Sequence, residues 1–164
     1  MERFYEQVQE KANIDIYARM AYMDTMTGLG NRTAFLEENK SNAIFPEMIS
    51  YIMMDANNLK TINDTLGHNK GDELIITIAK CMRKAVGHNG QCYRIGGDEF
   101  VIILKNKTVA ETEEIINKVR CEIEFADKQS DITISVAIGY VWTDTEQKNL
   151  EDLMQHADDE MSKD

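Results

Sequence analysis

Proline is almost missing from these 164 residues: Pro46 is the only one. Breaks between elements therefore fall to glycine, and eight of the nine glycines come in close pairs, Gly28/Gly30, Gly67/Gly71, Gly87/Gly90 and Gly96/Gly97. Such pairs mark backbone that turns sharply or is approached closely. Cysteine is scarce and scattered. Cys81, Cys92 and Cys121 form an odd set without a CxxC pair, which argues against a disulfide framework or a thiolate zinc site and fits small buried side chains in a reducing compartment. No apolar run reaches membrane-spanning length and no basic-then-apolar leader opens the chain. The expectation is a cytoplasmic segment without membrane contact of its own, either free or as the cytoplasmic part of a larger membrane-attached protein. Positive charge is also short: 18 Lys and Arg against 29 Asp and Glu leave a net charge of −11. That balance repels phosphates and argues against a nucleic-acid partner; a polyphosphate ligand would need a divalent cation between the two negative partners. There is no GxxxxGK[ST] loop, and Gly28-Leu29-Gly30 meets Thr33 where a dinucleotide fingerprint needs its third glycine.

What is present is one globular domain's worth of chain, with 43% apolar and 29% charged residues and no internal repeat. Residues 1 to 23 read as a lead-in helix with a loose stripe of Phe4, Val8, Ile16, Met20 and Met23. Asn31 caps a second helix running to Phe45. The run 48–54 is a strand ending at Asp55, followed by a short helix over 59–66 and a longer one over 71–86. Residues 91–95 and 99–104 form a hairpin about Gly96-Gly97-Asp98, residues 109–126 an amphipathic helix, 131–141 a strand and 149–163 a last helix. Helices interleaved with strands around an antiparallel hairpin predict an α+β fold, a ferredoxin-like, palm-type sheet of about five strands with helices packed on it.

Three segments are more polar than their positions require. Asp55 follows a strand of buried character, where a carboxylate either caps the next helix or projects into a ligand crevice at the strand end. Asp98 and Glu99 are adjacent acids at a glycine turn; they are either a solvated turn or, if the hairpin strands flank the first strand, partners of Asp55 in an oxygen-only Mg2+ or Mn2+ site. An EF-hand is excluded because Lys60 and Leu66 stand where its Gly and Glu belong. The segment Lys60–Asp72 places Asn63 and Asp72 on two consecutive helices. They serve either as helix caps or as readers of guanine, whose adjacent N1–H and N2–H donors suit one carboxylate. Lys60 is a natural phosphate counter-charge.

Taken together these residues resemble the GGDEF family, the diguanylate cyclases. Gly96-Gly97-Asp98-Glu99-Phe100 is its signature. Asp24–Arg32 resembles D-x-L-T-G-L-x-N-R, Met54–Asp72 resembles D-x-D-x-F-K-x-I-N-D-x-x-G-H-x-x-G-D, Ile132–Gly139 its late strand, and Ala157-Asp158 with Met161 its last-helix motif. The resemblance implies condensation of two GTP into cyclic di-GMP with release of pyrophosphate, Mg2+ or Mn2+ as two ions with GTP, and a homodimer under an upstream sensory module. It implies Asp55, the Ala56 carbonyl, Asp98 and Glu99 as metal ligands, Asp98 and Glu99 as catalytic acids, and Asn63, Asp72, Lys60, Gly96 and Gly97 as substrate contacts. The implied organisation is a lead-in helix over 1–23 and the family domain over 24–164, cut short in its last helix. The alternative is a weak or inactive domain that binds GTP and regulates a neighbour. Departures are Asn57 for the second Asp of D-x-D, Glu160 and Ser162 in the last-helix motif, and Gly87 and Gly90 where the product-inhibition motif R-x-x-D would stand. The phosphate-binding Lys of the family would fall one residue past Asp164.

Overall fold

In the computed structural model, residues 2–40, 48–144 and 149–164 are described. The element order is α1 (Glu2–Tyr22), α2 (Arg32–Glu38), β1 (Ile49–Ala56), α3 (Leu59–Leu66), α4 (His68–Val86), a 3-10 turn (Gly87–Asn89), β2 (Gly90–Arg94), β3 (Glu99–Lys105), α5 (Val109–Gln129), β4 (Val136–Thr143) and α6 (Leu150–Met161).

Among the described residues the sheet has four strands, in the order β2-β3-β1-β4, with every neighbouring pair antiparallel. This is the ferredoxin-like order, with one strand fewer than the expected count of five. Its apolar strand β1 lies in the interior, paired to β3 on one side and β4 on the other. Only β3 of the hairpin flanks β1; β2 is the outer strand.

Both sheet faces are covered, which is why β1 is mostly apolar and buried along nearly its whole length instead of alternating. Ile52, Met54 and Ala56 point into a core built with α3, α4 and α5. Ile49, Tyr51 and Met53 point to the opposite face, against Ala34 and Phe35 of α2 and Leu153 and Ala157 of α6. Asp55 continues this second series by strand alternation.

Several boundaries differ from the sequence expectation. Helix α2 ends at Glu38 with Asn39 as its C-cap, and the stretch 41–45 expected to prolong it lies outside the described residues. The late strand begins at Val136: Ile132 and Ile134 are buried, but Ile132 N–H donates to Ser130 Oγ and Ile134 N–H to Asp127 Oδ1, so side chains have taken the place of ladder partners. Helix α4 starts three residues earlier, at His68, directly after the positive-φ Gly67 that closes α3. All described side chains of α1 from Arg3 to Tyr22 are exposed, so the apolar stripe of this helix finds no core among the described residues.

Candidate active site

The C-terminal end of β1 carries Asp55, and the register sets it opposite Glu99 at the start of β3. Ala56 N–H donates to the Asp98 carbonyl at 2.8 Å, tying the glycine turn to the same strand end. The three acids are thus brought together as the sequence predicted, although through β3 alone. Gly96 makes room for this: a Cβ there would crowd Glu99 Oε2, while Gly97 faces open space.

The cluster is electrostatically costly as it stands. Burial pushes the Asp55 carboxyl up, and the negative charges of Asp98 and Glu99, a hydrogen bond with Asp98 and the charge of Asp158 push it further, to about 6. Asp55 Oδ1 is buried without a hydrogen-bond partner. An acceptor left bare among like charges is suited to a cation. The donors are hard oxygens, as Mg2+ and Mn2+ prefer. Among the described residues no three His, Cys, Asp or Glu side chains form a ready cage. A magnesium-type ion needs no such cage, because it takes one or two carboxylates and completes its shell with waters and substrate phosphates. The residues present fit such a group.

The second half of the site lies on α3 and α4, which follow directly from the acidic strand end. Asn58, in the left-handed region at φ 65, starts α3, a conformation Asn tolerates better than most residues. Asn63 is half-buried, and its Oδ1 has no partner. Gly71 lies against it so closely that a Cβ would overlap Asn63 Oδ1. Asp72 follows Gly71 and is exposed, and Lys60 is exposed in the first turn of α3. The packing of α3 on α4 thus leaves a buried, unpaired amide oxygen at Asn63 and an exposed carboxylate at Asp72, next in sequence to the glycine against which that oxygen lies.

Asn57, the departure from D-x-D, is engaged elsewhere. Its backbone N–H donates to the Ser135 carbonyl and its Nδ2 to Ser135 Oγ, each at 2.9 Å. It anchors the segment leading into β4.

Three residues near the acids escaped the sequence reading. Asp158, on α6, lines a cavity of about 310 Å3 together with Glu99, Met53, Glu151, Met154 and Gln155. Tyr51 is fully buried with its hydroxyl unpaired; burial and the charges of Glu99 and Asp158 raise its pKa far above the ordinary value, against the pull of Arg32. Arg94 reaches from β2 to the glycine turn, donating to the Gly97 carbonyl. Asp158 lay inside a recognisable motif, and Arg94 two residues before the signature, but sequence spacing does not reveal where either side chain goes.

A family model described as diguanylate cyclase, GGDEF domain, matches residues 21–164. The signaling protein YkoW of Bacillus subtilis is 34% identical over 159 residues, which is 92% of this chain and 20% of that protein. The diguanylate cyclase DgcN of Escherichia coli is 32% identical over 150 residues, 87% of this chain and 36% of that protein. This chain therefore spans well under half the length of these relatives. The crystal structure of the coiled coil and GGDEF domain of DgcB from Caulobacter crescentus in complex with c-di-GMP superposes with a TM-score of 0.86 at 22% identity, covering 98% of this chain and 89% of that one. At that identity the likeness concerns the fold, including a long helix ahead of the domain.

Proposed function

Because this chain belongs to the GGDEF family of diguanylate cyclases, we propose that it joins two GTP molecules into cyclic di-GMP and releases two pyrophosphates. The observation that carries the reading is the strand-end pair Asp55 and Glu99, with Asp98 beside it and Asp55 Oδ1 buried without a partner.

In this reading Asn63 and Asp72 accept hydrogen bonds from the guanine edge. Lys60 faces the phosphates, and the bare backbone of Gly96 and Gly97 lets the triphosphate lie close to the turn. Asp55, the Ala56 carbonyl, Asp98 and Glu99 would hold the divalent cation. When bound, the ion neutralises phosphate charge and makes the 3′-hydroxyl more acidic. Glu99, with Asp98, receives the proton of that hydroxyl. The 3′-oxygen then forms a bond to the α-phosphorus of the facing GTP, and the bond to pyrophosphate breaks on the opposite side. Two such displacements close the ring. One domain reads one guanine and the product is two-fold symmetric, so two copies face each other. The lead-in helix, residues 1–23, is the natural route for an upstream sensory module to control that approach. The domain over 24–164 works in the cytoplasm, where GTP is supplied; no described helix is long and apolar enough to cross a membrane.

The test is incubation with GTP and Mg2+ or Mn2+, with chromatographic separation of products and a pyrophosphate count. The reading predicts a cyclic dinucleotide with two pyrophosphates per product, abolished in Asp98→Ala. GTP binding without any dinucleotide would instead make the chain a GTP-binding regulatory domain.

A further inference from the structure

Asn57 stands just past the strand-end acid Asp55, where the family pattern has a second Asp, and its backbone N–H and side-chain amide both go to Ser135. The N–H donates to the Ser135 carbonyl and Nδ2 to Ser135 Oγ, each at 2.9 Å. This carries the β1–β4 pairing one step past Ala56↔Val136, so the two side chains lie opposite each other on one face. Directly afterwards the chain leaves the strand, because Asn58 takes the left-handed conformation at φ 65 that opens α3. The clasp is the final tie of β1 before that turn.

Ser135 is a firm anchor for it. Ile132 and Ile134, just before it, are buried in the core formed with α3, α4 and α5. Ile134 N–H donates to Asp127 Oδ1 near the end of α5 at 2.8 Å. The segment that carries Ser135 is thus fixed without help from β1.

What the clasp fixes is the peptide between Ala56 and Asn57. A trans peptide is planar, so its carbonyl and its N–H point in opposite directions. Asn57 N–H is directed at Ser135, on the β4 side, which directs the Ala56 carbonyl to the β3 side. Ala56 N–H points there too, to the Asp98 carbonyl at 2.8 Å, as the two polar groups of one paired strand residue do. The backbone oxygen expected to join Asp55, Asp98 and Glu99 is therefore aimed by a hydrogen bond at the far end of its own peptide.

We propose that Asn57 is a positioning residue: through Ser135 it holds the Ala56–Asn57 peptide in the plane that turns the Ala56 carbonyl toward the cation site at Asp55 and Glu99. The claim rests on the reading above that a divalent cation binds there. The backbone bond is one tie, and the side-chain bond is a second that keeps the peptide from rotating. A carboxylate at position 57 can accept from the Ser135 hydroxyl, so the clasp survives Asn57→Asp but not Asn57→Ala or Ser135→Ala.

Two readouts on the nucleotide-free protein test this. In amide hydrogen exchange without cation, the N–H of residue 57 is expected to exchange about tenfold or more faster in both alanine variants, while residues 51–54 of β1 stay as protected as in the parent. In titration with Mn2+ alone, with the free ion read by electron paramagnetic resonance, both alanine variants are expected to bind about tenfold or more weakly. The double variant is expected to be no weaker than either single one, because the two residues make one contact. Asn57→Asp is expected to bind Mn2+ at least as tightly as the parent. Alanine variants that bind Mn2+ as the parent does overturn the proposal, because the clasp is then structural only. Unchanged exchange at residue 57 overturns it as well, as does an Asn57→Asp as weak as Asn57→Ala or a parent that binds no Mn2+. A parent that binds Mn2+ but makes no dinucleotide from GTP defeats the cyclase reading instead and leaves the Mn2+ comparison to decide the role of Asn57.

Discussion

At the residue scale, the character of the site comes from acceptors left without donors. Asp55 would ionise near 3.8 in an unfolded chain and near 6 in the fold. The native state therefore holds that proton more tightly. Its contribution to stability is complete below 3.8 and is lost as pH rises through about 6. Without divalent cation, the thermal midpoint is expected to fall over that window, and Asp55→Asn is expected to remove this fall and to be the more stable form at neutral pH. Added Mg2+ should raise the midpoint of the parent near pH 7 and leave the variant unmoved. Scanning calorimetry at several pH values checks both, and a variant with the parent's pH dependence contradicts the assignment. Asn63 Oδ1 is the equivalent case on α3. A methyl at Gly71 has no room beside it, so Gly71→Ala is expected to weaken GTP binding by about tenfold or more, because a buried polar recognition group loses its place. Isothermal titration with GTP in Ca2+ or Mg2+ reads this directly, and unchanged affinity would remove Asn63 from the guanine site.

At the element scale, the position of α6 depends on a residue with no side chain. Gly139 on β4 lies opposite Met53 of β1, and a Cβ there would run into the backbone of Ala157 and Met161. Helix α6 can lie flush on the sheet, with Asp158 beside the acids, only because that position is glycine. Gly139→Ala is expected to cost about 1–3 kcal/mol by overpacking, which for a chain of this size is a drop of about 2–12 °C in thermal midpoint; a midpoint shift under 1 °C by scanning fluorimetry, taking ~1 °C as the limit of a negligible change, would contradict the packing. Glycine has a structural reason at the product-inhibition positions too. Gly87 closes α4 at φ 53, and a Cβ at Gly90 would strike the Ile103 carbonyl of β3. With these two residues in place of R-x-x-D, added cyclic di-GMP is expected to leave the initial rate of turnover unchanged, and strong inhibition traced to residues 87–90 would contradict this.

At the scale of the whole molecule, periodicity and strand composition were enough to read the ferredoxin-like class, the lead-in helix and the hairpin, because each of those elements is long or sharply bounded by glycine, but not the strand count or that β3 alone flanks β1. They were not enough to see that Ile132 and Ile134 are buried outside a strand, since burial without pairing leaves the same apolar pattern. The acids Asp55, Asp98 and Glu99 were legible because strand ends and glycine turns have fixed places in such a fold. Arg94, Asp158 and Tyr51 were not, because long side chains choose their partners in three dimensions. The net charge of −11 gains a narrower meaning from the structure: part of it is concentrated at one strand end, where a triphosphate is acceptable only together with a cation. The most direct measurement is the initial rate of cyclic dinucleotide formation from GTP, as a function of Mg2+ or Mn2+, by the parent and by Asp55→Asn. The account predicts cation-dependent product from the parent and a loss of about 10²-fold or more in the variant, with GTP still bound through Asn63 and Asp72. Equal rates from the two proteins, or product formed without added divalent cation, would contradict it.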